Sequence, residues 1–465
     1  MANYTHDVTR ELILTYKMYI YQEWIWRGPV FSVIWGFLSP VYYYLLFPLF
    51  FILNWHPLAP QFVTAILNLF CLGFVFKISH EFFGKKAAIF STIIFSLSFQ
   101  VVYEAVFGLN TNWVQVFALP FLYSLIKILQ GKSNWAILLM FSFSMIIGIH
   151  ASGFFMIPPF IILLFAYKPK ILKKEFFKGL ITFLIFGFLP YLIVEIKFRF
   201  WNIRKFFEYL VVKSTPTENN EYSLINHFFL SFYKSIQNLS LVFFKESDGI
   251  YLIIPFLIIL YSFYLTIITL KKKNKDSFGL LATITFLYVL FFSLMVKFDD
   301  VDFYEWFYHP IFIPFIIIFT GVIFSKIYNF KLGKIAIVFF FILFFISNTR
   351  AYLDFKPNID TFAGVKQVAL FLDSDSKNSD FDLYGVDGEE YYYLLWYMEN
   401  DPIRKDYYYT RFKWKNPKSA TYAYLIDFPP FNERFFEIND IKAVRGFKNV
   451  EKVYSNNIAI IYKIF

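Results

Sequence analysis

Residues 61–79 read QFVTAILNLFCLGFVFKIS, a run in which only Lys77 carries a charge. An apolar stretch of this length reaches across about 30 Å of hydrocarbon as an α-helix, so it is read as a transmembrane span. Working outward, runs of the same kind lie near 87–104, 113–129, 134–149, 152–167, 178–195, 250–270, 278–296, 307–325 and 333–348, which makes ten spans in all. Composition agrees. The chain is 58% hydrophobic and 24% aromatic over 465 residues, whereas a soluble domain is ~45–50% apolar. Its 67 Phe accompany an excess of Ile, Tyr, Lys and Asn over Ala and Gly, the mark of an AT-rich genome rather than of a binding surface. The single cysteine, Cys71, sits inside the quoted run, where it fills core space and excludes an intrachain disulfide framework. The expected class is therefore an all-α polytopic membrane protein.

Charge gives the orientation. The net charge of +10 collects in short connections at Lys85-Lys86, Lys132, Lys168 to Lys178, Lys271 to Lys275 and Lys326 to Lys334. These come at every second connection, hence on one face, and the excess of lysine in short loops makes that face cytoplasmic. The opposite, outer face receives the N-terminal residues, the connection at Asn110-Thr111-Asn112, the long segment 196–249, the acidic stretch Asp299-Asp300-Val301-Asp302 and the tail. The basic balance needs no nucleic-acid partner.

Three regions follow. Residues 1–60 form a first outer loop with interfacial helices, since 42–55 is too short to span comfortably and is bracketed by Pro40 and Pro57. No span precedes this loop, and the expectation is a start truncated by one transmembrane helix. Residues 61–348 form the helical module. Residues 349–465 change character, with strand-like runs at 381–386, 420–426 and 458–462 and helical ones at 360–372 and 389–397, as expected of a small extracytoplasmic α/β domain.

The outer polar residues are the candidates for chemistry. In His6-Asp7-Val8-Thr9-Arg10-Glu11 the two carboxylates are four apart and share a helix face, with Arg10 adjacent. A carboxylate there can take a proton from an acceptor hydroxyl while arginine forks onto a departing phosphate. An ordinary helix start is the other reading, with Asp7 complementing the dipole and Glu11 solvated. Arg199, Arg204 and Lys205, with Lys197, place positive charge on the outer side, suited either to a phosphate or to anionic headgroups. His150 closes one span and Tyr308-His309-Pro310 opens another, each readable as a pocket residue or as a helix-end or interfacial anchor. Asp299, Asp300 and Asp302 leave a divalent cation open, although an acidic outer loop is usually only solvated. No HExxH, glycine-rich phosphate loop or nucleophile elbow occurs.

Read in order, these pieces resemble one family. Asp7, Arg10 and Glu11, then Gly28-Pro29, then Ser39-Pro40-Val41-Tyr42-Tyr43-Tyr44, then Phe82-Phe83-Gly84-Lys85-Lys86 look like the bacterial branch of glycosyltransferase family 39. These are GT-C membrane enzymes related to dolichyl-phosphate-mannose protein mannosyltransferases. Asn110-Thr111-Asn112, His150, Pro190 to Phe200 and Tyr308-His309-Pro310 fit later positions of the pattern. The sequence departs from it at Val8, where relatives often carry a second acidic or amide residue, and at Phe200, where they carry histidine.

The resemblance implies a GT-C-type module that moves a sugar from a polyprenyl-phosphate donor to a protein, lipid or glycan acceptor outside the cytoplasmic membrane. Asp7 is implied as the catalytic residue. Arg10, Arg199, Arg204 and Lys205 would hold phosphate, and Glu11, Tyr42, Asn112, His150 and His309 would complete the substrate site. No protein metal ligand is assigned. The alternative is a transporter or flippase for a lipid-linked or anionic substrate, which would carry ionisable residues near mid-span and broken-helix pairs in both halves. A non-catalytic membrane scaffold, indifferent to Asp7, is a further rival.

Overall fold

Lipid offers no partners for backbone N–H and C=O groups, so the apolar runs can cross it only as helices. Each of the ten runs is helical over its described residues, except at Ser98 in 87–104. The computed structural model describes residues 6–31, 36–214, 224–246, 248–272, 276–295, 304–355, 361–376, 381–385, 404–405, 422–427, 448–455 and 459–465. In chain order these form α1 (His6–Tyr21), β1 (Val30–Phe31), β2 (Gly36–Phe37), α2 (Val41–Ile52), α3 (Ala59–Phe83), α4 (Lys85–Leu97), α5 (Phe99–Ala105) and α6 (Asn110–Leu129). There follow α7 (Ala136–Ile149), α8 (Ile157–Tyr167), α9 (Lys173–Phe183), α10 (Leu189–Lys197), α11 (Trp201–Ser214) and α12 (Leu224–Phe243). The helical part closes with α13 (Ile250–Lys272), α14 (Ser277–Met295), α15 (Tyr304–Ile327) and α16 (Lys331–Asp354).

Among the described residues, six helical segments are long and apolar enough to cross a membrane, or seven if α4 and α5 count as one span. The six are α3, α6, α13, α14, α16 and the continuous segment Lys173–Lys197, in which a π turn at Leu184–Phe188 joins α9 to α10. The remaining runs, at 133–149, 151–167 and 311–327, are shorter apolar helices.

Two departures from the sequence reading bear on the candidate site. The run 87–104 is broken, with α4 and α5 meeting at 63°. Ser98 makes the break: its Oγ accepts from Val101 N at 3.4 Å, capping α5, and donates to Val242 O at 2.6 Å. The segment 196–249, read as one outer loop, contains two helices, and α12 packs on α13, α14 and α15. Ser231, Ser235 and Ser240 stand beside Ile236, Leu239, Val242 and Phe243 on its buried side. Those serines dilute the apolar run below what a spanning pattern shows.

The helical core gathers around α6 and α15. Helix α4 lies against α15 so closely that a Cβ on Gly321 would stand 2.1 Å from Ser91 Oγ. After the bundle, α17 (Phe362–Ser376) precedes β3 (Phe381–Gly385), β4 (Arg404–Lys405), β5 (Tyr422–Asp427), β6 (Val450–Ser455) and β7 (Ile460–Ile464). The five strands form one mixed sheet in the order β4-β3-β5-β7-β6, parallel at β3 with β4 and β5 and antiparallel at β5–β7 and β6–β7. Val365, Val368 and Leu372 of α17 are buried with Phe381, Leu383, Tyr424 and Ile461 of the sheet. The three strand-like runs and the first helical run of the tail thus appear as β3, β5, β7 and α17. The run at 389–397 lies outside the described residues.

Candidate active site

The segment between α1 and α2 is a knot that only glycine permits. Gly28 N donates to Leu38 O and Leu38 N donates to Pro29 O, both at 2.9 Å, closing the base of the β1–β2 ribbon. A Cβ on Gly28 would stand 2.2 Å from Ser39 O, so no larger residue fits without moving backbone. Ser39 N in turn donates to Gly148 O at 3.2 Å, which seats the start of α2 on the end of α7. The motifs Gly28-Pro29 and Ser39-Pro40 therefore share one purpose, to fix where α2 begins. One turn further on, Tyr42 and Tyr43 are fully buried, and Tyr44 Oη donates to Ile25 O at 2.6 Å.

Against α2 lies α1, and here the charged cluster comes inside. Glu11 is fully buried, and Arg10 Nη2 pairs with its Oε1 at 3.4 Å. The Tyr42 phenol lies in their field. Burial first, then the Glu11 carboxylate and Tyr43, hold it well above the ordinary tyrosine range, with Arg10 opposing. Arg10, Glu11 and Tyr42 thus form one group, which excludes the reading of Glu11 as a solvated helix-start residue. Asp7 stands on α1 one turn before Glu11; its side chain and that of His309 on α15 lie outside the described residues, as do Asp299, Asp300 and Asp302.

The first turn of α1 rests on the link between α5 and α6, where Val8 is buried with Phe107 and Leu109 against Tyr103. That link is tied by polar contacts. Asn112 Oδ1 accepts from Leu109 N at 3.2 Å, its Nδ2 donates to Glu104 Oε2, and Gln100 Nε2 donates to Glu104 Oε1 at 2.9 Å. Asn110 Nδ2 donates to Ile149 O at 2.8 Å, joining the start of α6 to the end of α7. There His150 Nδ1 accepts from Ser152 N at 3.2 Å and lies 2.9 Å from Ser152 Oγ. Burial pushes the His150 imidazole down to about 3, so it is neutral at any ordinary pH.

The remaining cations sit elsewhere. At the corner between α10 and α11, Arg199 and Phe200 take φ of 55° and 58°, left-handed conformations costly for residues with a Cβ. Glu195 holds them there. Its carbonyl accepts from Phe200 N at 2.6 Å and its carboxylate accepts from Ile203 N at 3.4 Å. Asn202 clamps the ribbon to this corner, accepting from Phe37 N at 2.6 Å and donating to Phe37 O at 2.9 Å. Arg204 and Lys205 lie over the Trp201 ring at 5.7 and 5.0 Å, and Lys205 pairs with Glu208 at 2.6 Å. The structure therefore brings Arg10, Glu11 and Tyr42 together, sets Asn112 and His150 on adjoining elements, and places Arg199, Arg204 and Lys205 on a separate corner reached through β2.

Sequence reasoning missed Glu104 and Asn202, and had Asn110 and Glu195 only as members of longer motifs with no role of their own. Glu104 had a legible signal, an acidic residue at the end of an apolar run. Asn202 had none, because its role depends on a ribbon 165 positions away. No group of three or more His, Cys, Asp or Glu side chains converges on a metal position among the described residues.

Comparison with known proteins bears on this arrangement. Residues 38–194 match the family described as dolichyl-phosphate-mannose-protein mannosyltransferase, a stretch that includes Ser39 to Tyr44, Asn112 and His150. No curated protein matches the chain in sequence. In structure the chain is similar to ArnT from Cupriavidus metallidurans in the apo state, with a TM-score of 0.58 and 11% identity over 99% of this chain and 94% of that one. It is equally similar to the same protein bound to undecaprenyl phosphate, with a TM-score of 0.58 and 10% identity over 99% and 95% of the two chains. The family match thus covers residues 38–194, and over nearly its whole length the fold of this multi-span membrane protein is like that of ArnT.

Proposed function

We propose that this protein transfers a sugar from a polyprenyl-phosphate donor to a protein, lipid or glycan acceptor on the extracytoplasmic side of the cytoplasmic membrane. The observation that carries the reading is the fully buried Glu11, paired with the partly buried Arg10 in the surroundings of Tyr42 at the head of α1. Ionisable groups withdrawn from water beside a bilayer are retained for function. The complex of ArnT with undecaprenyl phosphate supports the donor class, since a protein of the same fold takes a lipid phosphate.

In this reading Asp7 is the general base. It accepts the proton of the acceptor hydroxyl as that oxygen bonds to the sugar's anomeric carbon. The bond from that carbon to the phosphate oxygen breaks, and its electron pair stays on the polyprenyl phosphate. Arg10 stabilises the charge that develops there, because a fixed cation in a site shielded from water needs no reorganisation as the bond breaks. Arg199, Arg204 and Lys205 hold the donor's phosphate from the α10–α11 corner, while Tyr42, Asn112, His150 and His309 shape the pocket. Residues 1–60 supply the catalytic loop, 61–348 the membrane module and 349–465 an extracytoplasmic domain facing the acceptor. No step is routed through a metal.

The test is transfer of labelled sugar from polyprenyl-phosphate donors in membranes holding the full chain. Asp7→Asn is expected to lower turnover by roughly 10²–10⁴-fold with the protein still folded. Turnover unchanged by Asp7→Asn would remove the mechanism.

A further inference from the structure

Helices in lipid associate through packing, so a pair of buried side-chain hydrogen bonds between two spans asks for a reason. Helices α3 and α6 share two. Trp113 Nε1 donates to Thr64 Oγ1 at 3.1 Å, and Gln115 Nε2 donates to Asn68 Oδ1 at 2.8 Å, all four residues being buried. Thr64 is itself locked, since its hydroxyl donates to Pro60 O at 2.8 Å while accepting from the indole. The Trp113 ring therefore has one orientation. It meets the Tyr42 ring edge-on, at 5.7 Å between centroids and 89° between planes.

Tyr42 is held on one side by Trp113 and has Arg10 and Glu11 in its electrostatic surroundings. It is fully buried, yet its hydroxyl has no hydrogen-bond partner among the described residues. A buried hydroxyl in that state destabilises the fold unless something outside the chain meets it. The partner suited to a phenol beside an arginine is an anionic oxygen.

Building on the transfer reading above, we propose that the Thr64–Trp113 hydrogen bond is a positioning device, fixing Trp113 against Tyr42 so that the phenol donates to the phosphate oxygen that gains charge as the sugar leaves. Thr64 and Trp113 touch no substrate and act through Tyr42. A bond that strengthens only as charge develops is read in kcat rather than in KM.

The experiment measures labelled-sugar transfer by the full-length protein in membranes. Thr64→Val removes the acceptor of the indole bond while keeping bulk, and Trp113→Phe removes its donor while keeping an aromatic ring. Each is expected to lower kcat about tenfold with KM for the donor within about twofold, the scale of a small misplacement. Thr64→Ser, which keeps the hydroxyl, is expected to restore kcat. Trp113→Phe added to Tyr42→Phe is expected to cost nothing further, a non-additivity that loss of packing alone would not give. Wild-type kcat in Thr64→Val and Trp113→Phe, no rescue by Thr64→Ser, or losses that multiply in the double variant would each overturn the proposal. Asp7→Asn measured alongside separates the two claims. Turnover surviving Asp7→Asn removes the transfer reading, whereas an inactive Asp7→Asn beside a fully active Thr64→Val removes only the positioning.

Discussion

Two spans of the bundle invert the rule learned from soluble proteins. Helix α6 is the least apolar of the six candidate spans, carrying Asn112, Gln115, Ser124 and Lys127, yet 83% of its window lies inside the protein. The segment Lys173–Lys197 is more apolar, and only 28% of its window is buried. Its Ile181, Leu184, Ile185 and Phe188 face outward. In lipid the apolar helix belongs at the rim, and the polar one must be shielded, because its side chains find partners only in other helices. The candidate site follows from the same inversion. The start of α6 carries Asn110, Asn112 and Trp113, and α1, α3 and α7 each reach it through a polar contact or through the Val8 cluster.

If the inner helices meet backbone to backbone while the rim meets only lipid, adding one methyl should separate them most sharply. Gly321 on α15 is the strongest case. A Cβ there would stand 2.1 Å from Ser91 Oγ and 2.8 Å from Ser91 N, so α4 and α15 must part. Gly321→Ala is expected to destabilise the protein by about 3 kcal/mol, read as a lowered Tm in detergent. A wild-type Tm would mean that the core is looser than these distances imply.

The next effect comes from protonation at the C-terminal end of α7. The folded value of His150, pushed down to about 3 by burial, lies below its ordinary 6.5, so the unfolded chain binds the proton more readily. Above pH 6.5 the imidazole is neutral in both states; below it stability is lost as pH falls. At pH 5 the loss reaches about 2 kcal/mol, so the Tm of wild type should drop relative to that of His150→Gln between pH 7 and pH 5. Between pH 7 and 8 the two transfer profiles should share one shape. Parallel Tm curves down to pH 5 would show that water reaches His150.

Hydropathy made the spans legible, since an apolar run of the right length has one fold in lipid. It could not rank them, because a run such as Leu184 to Phe188 looks the same against lipid as inside a core. The order of short motifs around Gly28-Pro29 and Ser39-Pro40 located the loop, and the knot explains why: a Cβ on Gly28 cannot coexist with Ser39 O. The pairings within the site were hidden. Glu104 with Asn112 needs the α4–α5 break at Ser98, Asn202 with Phe37 needs the ribbon, and Thr64 with Trp113 needs the packing of α3 on α6. Local sequence specifies none of these.

The polar ladder inside the bundle predicts an effect smaller again. Gln115→Leu leaves the Asn68 amide oxygen without its donor in a dry interior and is expected to cost about 1 kcal/mol. Asn68→Leu added to it should recover most of that, because replacing both partners leaves nothing unsatisfied. The double variant keeps the Thr64–Trp113 bond and should retain transfer. If the double variant is less stable than Gln115→Leu alone, the ladder sets the register of α3 on α6 rather than merely satisfying it.

The smallest effect is expected at the rim. Gly73 lies on α3 with nothing within 4 Å of where a Cβ would stand, the opposite of Gly321. A methyl there meets no described atom, and the unfolded chain loses the conformational freedom that glycine gives it. Gly73→Ala should therefore leave Tm unchanged or raise it by the equivalent of roughly 0.5 kcal/mol, with transfer activity intact. A Tm lowered as far as that of Gly321→Ala would mean that Gly73 faces protein, a second copy of the chain or a partner, and that what looks like rim is an interface.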